Sequence, residues 1–245
     1  MAEECAYGNG RFVCCRDCQD GVVQPPHERP DVSRLIPLIV GAAAAVVAIV
    51  ILWVVTSVRR DQPFPVDVWW HDLMVGNRTD AGLVLAWIPG YAGGPVLAIV
   101  TGLAVVGTLL VLRWWWAAIT VAATLVLCIG IAAPLASIVG RIRPEDSLAE
   151  AVPTSYPSGH VAFATALATV LCLLFRHWLW WTLGAIWVLW MAWSRTYLAA
   201  HWFTDVIGGI FLGVAVALLA WAIVETIRRR RVSRTADAVE GVSDR

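Results

Sequence analysis

The residues best suited to chemistry lie in two short polar segments between long apolar runs. The first segment places Arg143 ahead of the sequence Pro157-Ser158-Gly159-His160. A guanidinium can hold two phosphate oxygens at once, and free backbone N–H groups at a helix start attract an anion. If a helix begins near Ser158 and Gly159, this segment can bind a phosphate. His160, with an ordinary pKa of about 6.5, can protonate a leaving alkoxide.

The second segment contains Arg195, His201 and Asp205. His201 and Asp205 lie four positions apart, so at the start of a helix they share one face and the carboxylate can fix the imidazole tautomer. The other ring nitrogen is then free to attack phosphorus. Each residue alone could be an ordinary polar group at a helix end. Together they predict a phosphoryl-transfer site, because that chemistry needs mainly positive charge and hydrogen-bond donors.

No cluster with metal-ligand spacing accompanies these residues, so we expect a site without a metal or other cofactor. Four of the six cysteines crowd the N-terminal tail, where Cys15 and Cys18 form a CxxC pair. Two interpretations stay open: a zinc or redox site that also uses Cys5 and Cys14, or a reduced, poorly ordered tail.

The composition is that of an all-α, polytopic membrane protein. Hydrophobic residues make up 59% of the chain, charged residues 15%, and the mean hydropathy is +0.71. Because a helix needs about 20 apolar residues to cross a bilayer, we predict a bundle of six transmembrane helices. The predicted spans are residues 35–58, a part of 81–112, about 114–139, 160–175, 178–193 and 206–227.

Three regions follow from these spans. Residues 1–34 form a cytoplasmic, poorly ordered tail, 35–227 a six-helix membrane domain, and 228–245 a basic anchor followed by a disordered tail. All 18 basic residues are arginines, and their distribution favours cytoplasmic N- and C-termini. Both polar segments then lie on the extracytoplasmic side of the cell membrane.

We expect the protein to contact the lipid bilayer and not nucleic acid. The formal net charge is zero, and the run Arg228–Arg231 directly follows an apolar span, where it suits anionic lipid headgroups. Many of the 15 tryptophans fall near predicted span ends, where they anchor a membrane protein. The sequence defines no oligomeric state.

The motifs resemble those of the type 2 phosphatidic acid phosphatase superfamily, which includes bacterial undecaprenyl diphosphate phosphatases and is similar at its active site to vanadium haloperoxidases. Its second motif is intact as Pro157–His160, and its third, Ser-Arg, five residues, His, three residues, Asp, is intact as Ser194–Asp205. Its first motif ends in Arg143-Pro144, but Ala136 occupies the position of the family lysine, and the chain contains no lysine.

The resemblance implies a role for each matching residue. His201 would be the nucleophile that forms a phosphohistidine, Asp205 its orienting partner, and His160 the general acid. The phosphate would be held by Arg143, Ser158, Gly159 and Arg195. Arg141 is a candidate to replace the missing lysine, or it meets lipid headgroups.

The expected activity is hydrolysis of a lipid phosphate or diphosphate. Only 33 residues separate His160 from Ser194, so two short helices must cross the bilayer and return, which places the site below the headgroup surface. Two alternatives stay open: a lipid phosphotransferase with the same residues and an alcohol acceptor, and a catalytically silent lipid-binding protein, which the missing lysine suggests. Polyprenyl diphosphates, phosphatidic acid and phosphatidylglycerol phosphate all fit as substrates.

Overall fold

The computed structural model describes residues 62–149 and 152–243, with side chains to residue 231, together with residues 6–8, 11–13, 40, 41, 43–47, 50, 51 and 54. Its contacts divide the chain into two units, Met1–Ser33 and Arg34–Arg245. In the first unit, strands β1 (Ala6–Gly8) and β2 (Arg11–Val13) pair antiparallel. The four N-terminal cysteines lie outside the described residues, so both interpretations of them stay predictions.

The described part of the second unit is helical, with one isolated β-bridge between Ile142 and Thr154. This agrees with the predicted all-α class. Its helices are α1 (Pro65–Gly76), α2 (Asp80–Ala92), α3 (Pro95–Val111), α4 (Trp115–Val139), α5 (Gly159–Phe175), α6 (Trp178–Tyr197) and α7 (Phe203–Ser243). The described positions between 40 and 54 are also helical, within the predicted first span.

Two of the described helices, α4 and the part of α7 over Phe203–Arg231, are long and apolar enough to cross a membrane. Helices α2 and α3 pass the same test only as a pair, bent by 57°. The bend falls at Gly93-Gly94-Pro95, where the ring of Pro95 begins a new helix and cannot continue the preceding one. The described residues therefore show two or three candidate spans, while six were predicted.

Helices α5 and α7 approach very closely because glycines lie between them. A Cβ atom on Gly209 would lie 2.8 Å from the Ser158 carbonyl oxygen, and one on Gly213 would lie 2.6 Å from that of Ala162. Small residues at matching positions allow such backbone approach in apolar surroundings, where van der Waals packing drives helix association. This packing fixes the start of α5 relative to the start of α7.

Helix α7 continues to Ser243, where the sequence predicts a disordered tail. No proline interrupts this stretch, and its five arginines favour helix. The Glu225 carboxylate accepts hydrogen bonds from Arg228 at 2.8 Å and from Arg229 at 2.6 Å, one helical turn further on. Local propensity therefore extends the helix beyond its apolar part.

The close packing of α5 and α7 gives the first prediction. Gly213→Ala should lower the free energy of unfolding of the purified protein by about 1–3 kcal/mol, and with it the melting temperature, because the added methyl group overpacks the contact. Gly130→Ala on α4 is the matched control: no atom lies within 4 Å of its added Cβ, so stability should be unchanged or raised by up to about 1 kcal/mol. Equal melting temperatures for both variants, measured in the same detergent, would contradict this account of the packing.

Candidate active site

The loop between α4 and α5 folds back on itself. Gly140 ends α4 with φ +61°, a left-handed conformation that suits glycine. Beyond it, the Ser155 N–H donates to the Arg141 carbonyl at 2.8 Å, next to the bridge between Ile142 and Thr154. The loop therefore brings Arg141 and Arg143 beside the residues that precede α5.

The loop between α6 and α7 forms a tight turn. The N–H groups of Ala200 and His201 both donate to the Arg195 carbonyl, at 3.0 and 3.2 Å. At the start of α7, the Asp205 carboxylate accepts the Trp202 N–H at 2.9 Å, a local bond that fixes the first turn of that helix. The turn places Arg195 and His201 on the same side of the bundle as the first loop.

His201 is almost fully buried, with 3% of its surface exposed. Its Nδ1 donates to the Ser155 carbonyl at 2.7 Å, whereas the nearest Asp205 oxygen lies 3.9 Å from Nδ1. The expectation that Asp205 fixes the tautomer by a direct hydrogen bond is therefore wrong: a backbone carbonyl performs that role. Its Nε2 faces a guanidinium nitrogen of Arg143 at 3.2 Å, so Nε2 carries the lone pair.

Burial lowers the pKa of His201 well below its ordinary value, and the charges of Arg143 and Arg195 lower that pKa further. The imidazole is therefore neutral at pH 7. A neutral imidazole has an unprotonated nitrogen and can act as a nucleophile.

Arg143 connects the two loops. Its Nε donates to the Val152 carbonyl at 2.6 Å, and its Nη1 donates to the Ala200 carbonyl beside His201. Arg195, in the last turn of α6, is 1% exposed. His160, in the first turn of α5, lines the same cavity as Arg195, and Arg143 lies 3.2 Å from His201, so the structure brings the predicted residues to one region.

Ser158 and Gly159 flank the start of α5 as predicted. The Ser158 N–H is occupied, since it donates to the Asp205 carbonyl at 3.1 Å. The Ser158 hydroxyl is buried and has no hydrogen-bond partner among the described residues, an arrangement that is costly unless a ligand completes it. Beside Gly159 the space is open, because no atom lies within 4 Å of an added Cβ.

The expectations for Arg141 need correction. Arg141 is 1% exposed, so it does not meet lipid headgroups. Its Nη1 donates to Asp205 at 2.5 Å and to Thr204 at 2.7 Å, and its Nη2 donates to Asp67 at 2.6 Å. Both terminal nitrogens are thus committed to protein groups, and Arg141 does not stand in for the missing lysine. Ala136 lies on the last turn of α4, half-buried.

Asp67 was missed by the sequence reasoning. Its side chain is fully buried and accepts hydrogen bonds from Arg141 and Thr204. In the sequence it is an acidic residue near a helix start, where aspartate is common for local reasons. Neither its residue type nor its spacing links Asp67 to the two polar segments that contain the histidines.

A cavity of about 330 Å³ adjoins the site. His160 and Arg195 lie on its wall, together with aromatic residues Trp87 and Tyr91 of α2. The remaining lining comes mainly from the bend between α2 and α3 and includes Val96 and Leu97. In the described residues, no group of three or more His, Cys, Asp or Glu side chains is placed to hold a metal ion.

Apolar helices long enough to cross a bilayer, with an arginine- and histidine-lined site at their loops, define a membrane protein. A family model of the PAP2 superfamily matches residues 38–229, and this chain belongs to that superfamily. The resemblance inferred from the motifs is thereby confirmed.

Relatives of known name support this assignment. A protein from Sulfolobus acidocaldarius named "Undecaprenyl-diphosphatase" is 40% identical over 81 residues, which cover 32% of this chain and 39% of that protein. The first transmembrane PAP2 type phosphatidylglycerolphosphate phosphatase from Bacillus subtilis is similar in structure, with a TM-score of 0.59 and 19% identity over 81% of this chain and 96% of that one. Aquifex aeolicus LpxE has a TM-score of 0.57 and 20% identity over 64% and 95%. At these identities, the structural matches show a shared fold.

The unpartnered Ser158 hydroxyl gives the second prediction. Ser158→Ala should leave thermal stability unchanged or slightly raised, because no protein hydrogen bond is lost. It should weaken binding of inorganic phosphate about tenfold, the cost of one hydrogen bond to a charged ligand. Thr165→Val removes another buried, unpartnered hydroxyl further along α5 and is the matched control. Phosphate affinity that is equal in both variants would contradict a role for Ser158 in anion binding.

Proposed function

We propose that this chain hydrolyses a lipid phosphate or diphosphate through a phosphohistidine on His201, without a metal ion. The observation that carries the proposal is the placement of His201: Nδ1 donates to a backbone carbonyl, and the lone pair of Nε2 points toward the Arg143 guanidinium. A phosphate drawn to that guanidinium meets a neutral, oriented nucleophile.

The reaction proceeds in two displacements. Nε2 of His201 attacks phosphorus and the bond to the leaving oxygen breaks, while His160 donates a proton to that oxygen. Water then attacks the phosphohistidine, His160 takes the proton from the water, and phosphate leaves His201. The Asp205 carboxylate, 3.9 Å from Nδ1, stabilises the positive charge that the ring gains in the first step.

Four residues hold the phosphoryl oxygens. Arg143 and Arg195 supply positive charge, and the Ser158 hydroxyl supplies a donor that is otherwise unpartnered within the described residues. The open space beside Gly159 leaves room for an oxygen close to the backbone at the start of α5. Positive charge and hydrogen-bond donors are thus concentrated around the phosphoryl oxygens, where negative charge develops in the transition state.

A lipid is the substrate that best fits the surroundings. The cavity beside His160 and Arg195 is lined mostly by apolar and aromatic groups. On its α3 side, Val96 is 74% and Leu97 47% exposed, as expected of a surface that faces acyl chains. The Sulfolobus relative and the Bacillus structure are both named for phosphatases of lipid substrates.

The membrane arrangement that fits this function has six spans. They comprise a span that includes the helical positions described between 40 and 54, the bent pair α2–α3, and helices α4, α5, α6 and α7. Helix α5 is short for a span, with 17 residues. Helix α6 is rich in tryptophan, which lowers its mean hydropathy but is well suited to the boundary between the bilayer and water. With cytoplasmic termini, both catalytic loops face the extracytoplasmic side.

The mechanism gives the third prediction. His201→Ala should abolish phosphate release from lipid phosphates, a loss of at least about a thousandfold, because no other group replaces the nucleophile. His177→Ala, which changes an exposed histidine at the start of α6, should retain wild-type turnover. Activity is measured as inorganic phosphate released from a panel of purified lipid phosphates in detergent, with and without a metal chelator.

Three results would count against the proposal: full activity of His201→Ala, loss of wild-type activity on chelation that added Mg²⁺ restores, or phosphate transfer that requires an added alcohol. The last result would identify a phosphotransferase, because hydrolysis needs only water as acceptor.

The orientation gives the fourth prediction. In a variant whose six native cysteines are replaced by serine, Glu145→Cys should react with an impermeant thiol reagent in intact cells. Glu145 is exposed on the loop between α4 and α5, whereas His177→Cys lies at the opposite end of α5 and should react only after lysis. Labelling of His177→Cys alone in intact cells would reverse the topology and make the substrate a lipid of the cytoplasmic leaflet.

A further inference from the structure

A buried ion network lies behind His201. The Arg141 guanidinium donates to Asp205 at 2.5 Å and to Asp67 at 2.6 Å, and these three side chains are at most 1% exposed. Thr204 completes the network: its hydroxyl lies 2.7 Å from Arg141 and 3.0 Å from Asp67, and its N–H donates to Asp67 at 2.8 Å. Asp67 comes from α1, whereas Arg141 lies on the loop before α5 and Thr204 and Asp205 lie in the first turn of α7.

Such a network is expensive to bury. Each charge loses its hydration, and the attraction between the ions offsets that cost only when the geometry is good and the hydrogen bonds are complete. Here the carboxylate of Asp67 accepts from Arg141, from Thr204 and from the Phe64 N–H at 3.1 Å. The Asp67 carboxylate is thus held by three donors, while Nε of Arg141 has no hydrogen-bond partner among the described residues. A stability role alone would be served as well by apolar packing.

Arg141 is connected to His201 by two routes. Through its side chain it holds Asp205, whose carboxylate lies 3.9 Å from Nδ1 of His201. Through its backbone carbonyl it accepts the Ser155 N–H at 2.8 Å, and the Ser155 carbonyl accepts Nδ1 of His201 at 2.7 Å. A shift of Arg141 would therefore move both groups that orient the imidazole.

We propose that Asp67 is a positioning residue: by anchoring Arg141 it fixes Asp205 and the Ser155 carbonyl, and so directs Nε2 of His201 at phosphorus. The inference rests on the proposed function, because it assigns Asp67 a part in the same displacement. Asp67 touches neither His201 nor the phosphate-holding residues, so its effect is on the rate of the chemical step and not on binding.

The experiment compares Asp67→Asn with wild type in the purified full-length protein. Because Asn keeps the shape and removes the charge that holds Arg141, kcat should fall about tenfold to a hundredfold, the scale of a small misplacement of a reacting group. KM and the inhibition constant of inorganic phosphate should stay within about twofold, since Arg143, Arg195 and Ser158 are unchanged. Asp72→Asn makes the same chemical change on the same helix at a side chain that is 72% exposed, and should retain wild-type kcat.

Thr204→Val is the second variant, and it keeps every charge in the network. It should lower kcat by about threefold to tenfold, the worth of one or two hydrogen bonds, again with unchanged phosphate inhibition. Wild-type kcat in a folded Asp67→Asn protein would overturn the inference. If Asp67→Asn does not fold, wild-type kcat in Thr204→Val would overturn it.

A loss of phosphate inhibition as large as the loss of kcat would also overturn the inference, because it would indicate general damage to the site. A wild-type protein that releases phosphate from no lipid phosphate would instead refute the proposed function, and this inference with it.

Discussion

The guanidinium of Arg141, held between the buried carboxylates of Asp67 and Asp205, is the interaction on which the site depends. It joins the short helix α1 to the start of α7, and through its backbone it joins the loop that leads into α5. A charge buried without its partner costs several kcal/mol, so these three elements cannot separate without exposing or neutralising an ion. The network thus sets the positions of the loop that carries His201 and of the loop that leads to His160 in the first turn of α5.

Close packing of α5 against α7 also holds the site residues in position. Glycines on α7 allow its backbone to lie against α5, so the first turns of the two helices, which contain His160 and Asp205, start side by side. In apolar surroundings this closeness depends on shape and dispersion, with little help from the hydrophobic effect. A rigid scaffold of this kind suits a reaction in which the protein's main contribution is to hold charge and a nucleophile in place.

Much of this arrangement could be predicted from residue types and spacing. Apolar runs predicted helices, and motif spacing predicted that His160, Arg143, Arg195 and His201 come together. Spacing could not predict the Ser155 carbonyl as the partner of His201, because a backbone acceptor is present at every residue and only the fold selects one. Asp67 was missed for a similar reason, since a buried and an exposed aspartate near a helix start look alike in sequence. Arg141 was assigned to phosphate or lipid because its partner carboxylate on α1 could not be anticipated.

The proposed mechanism depends on the hydrogen bond from Nδ1 of His201 to the Ser155 carbonyl, which leaves Nε2 to attack phosphorus. The most direct test traps the enzyme during turnover of a lipid phosphate by rapid alkaline quench, which preserves phosphohistidine, and then locates the phosphoryl group by peptide mapping and ³¹P NMR. We expect a phosphoryl group on His201, attached to Nε2. A phosphoryl group on Nδ1 of His201, on another residue, or on no residue during active turnover would contradict this mechanism.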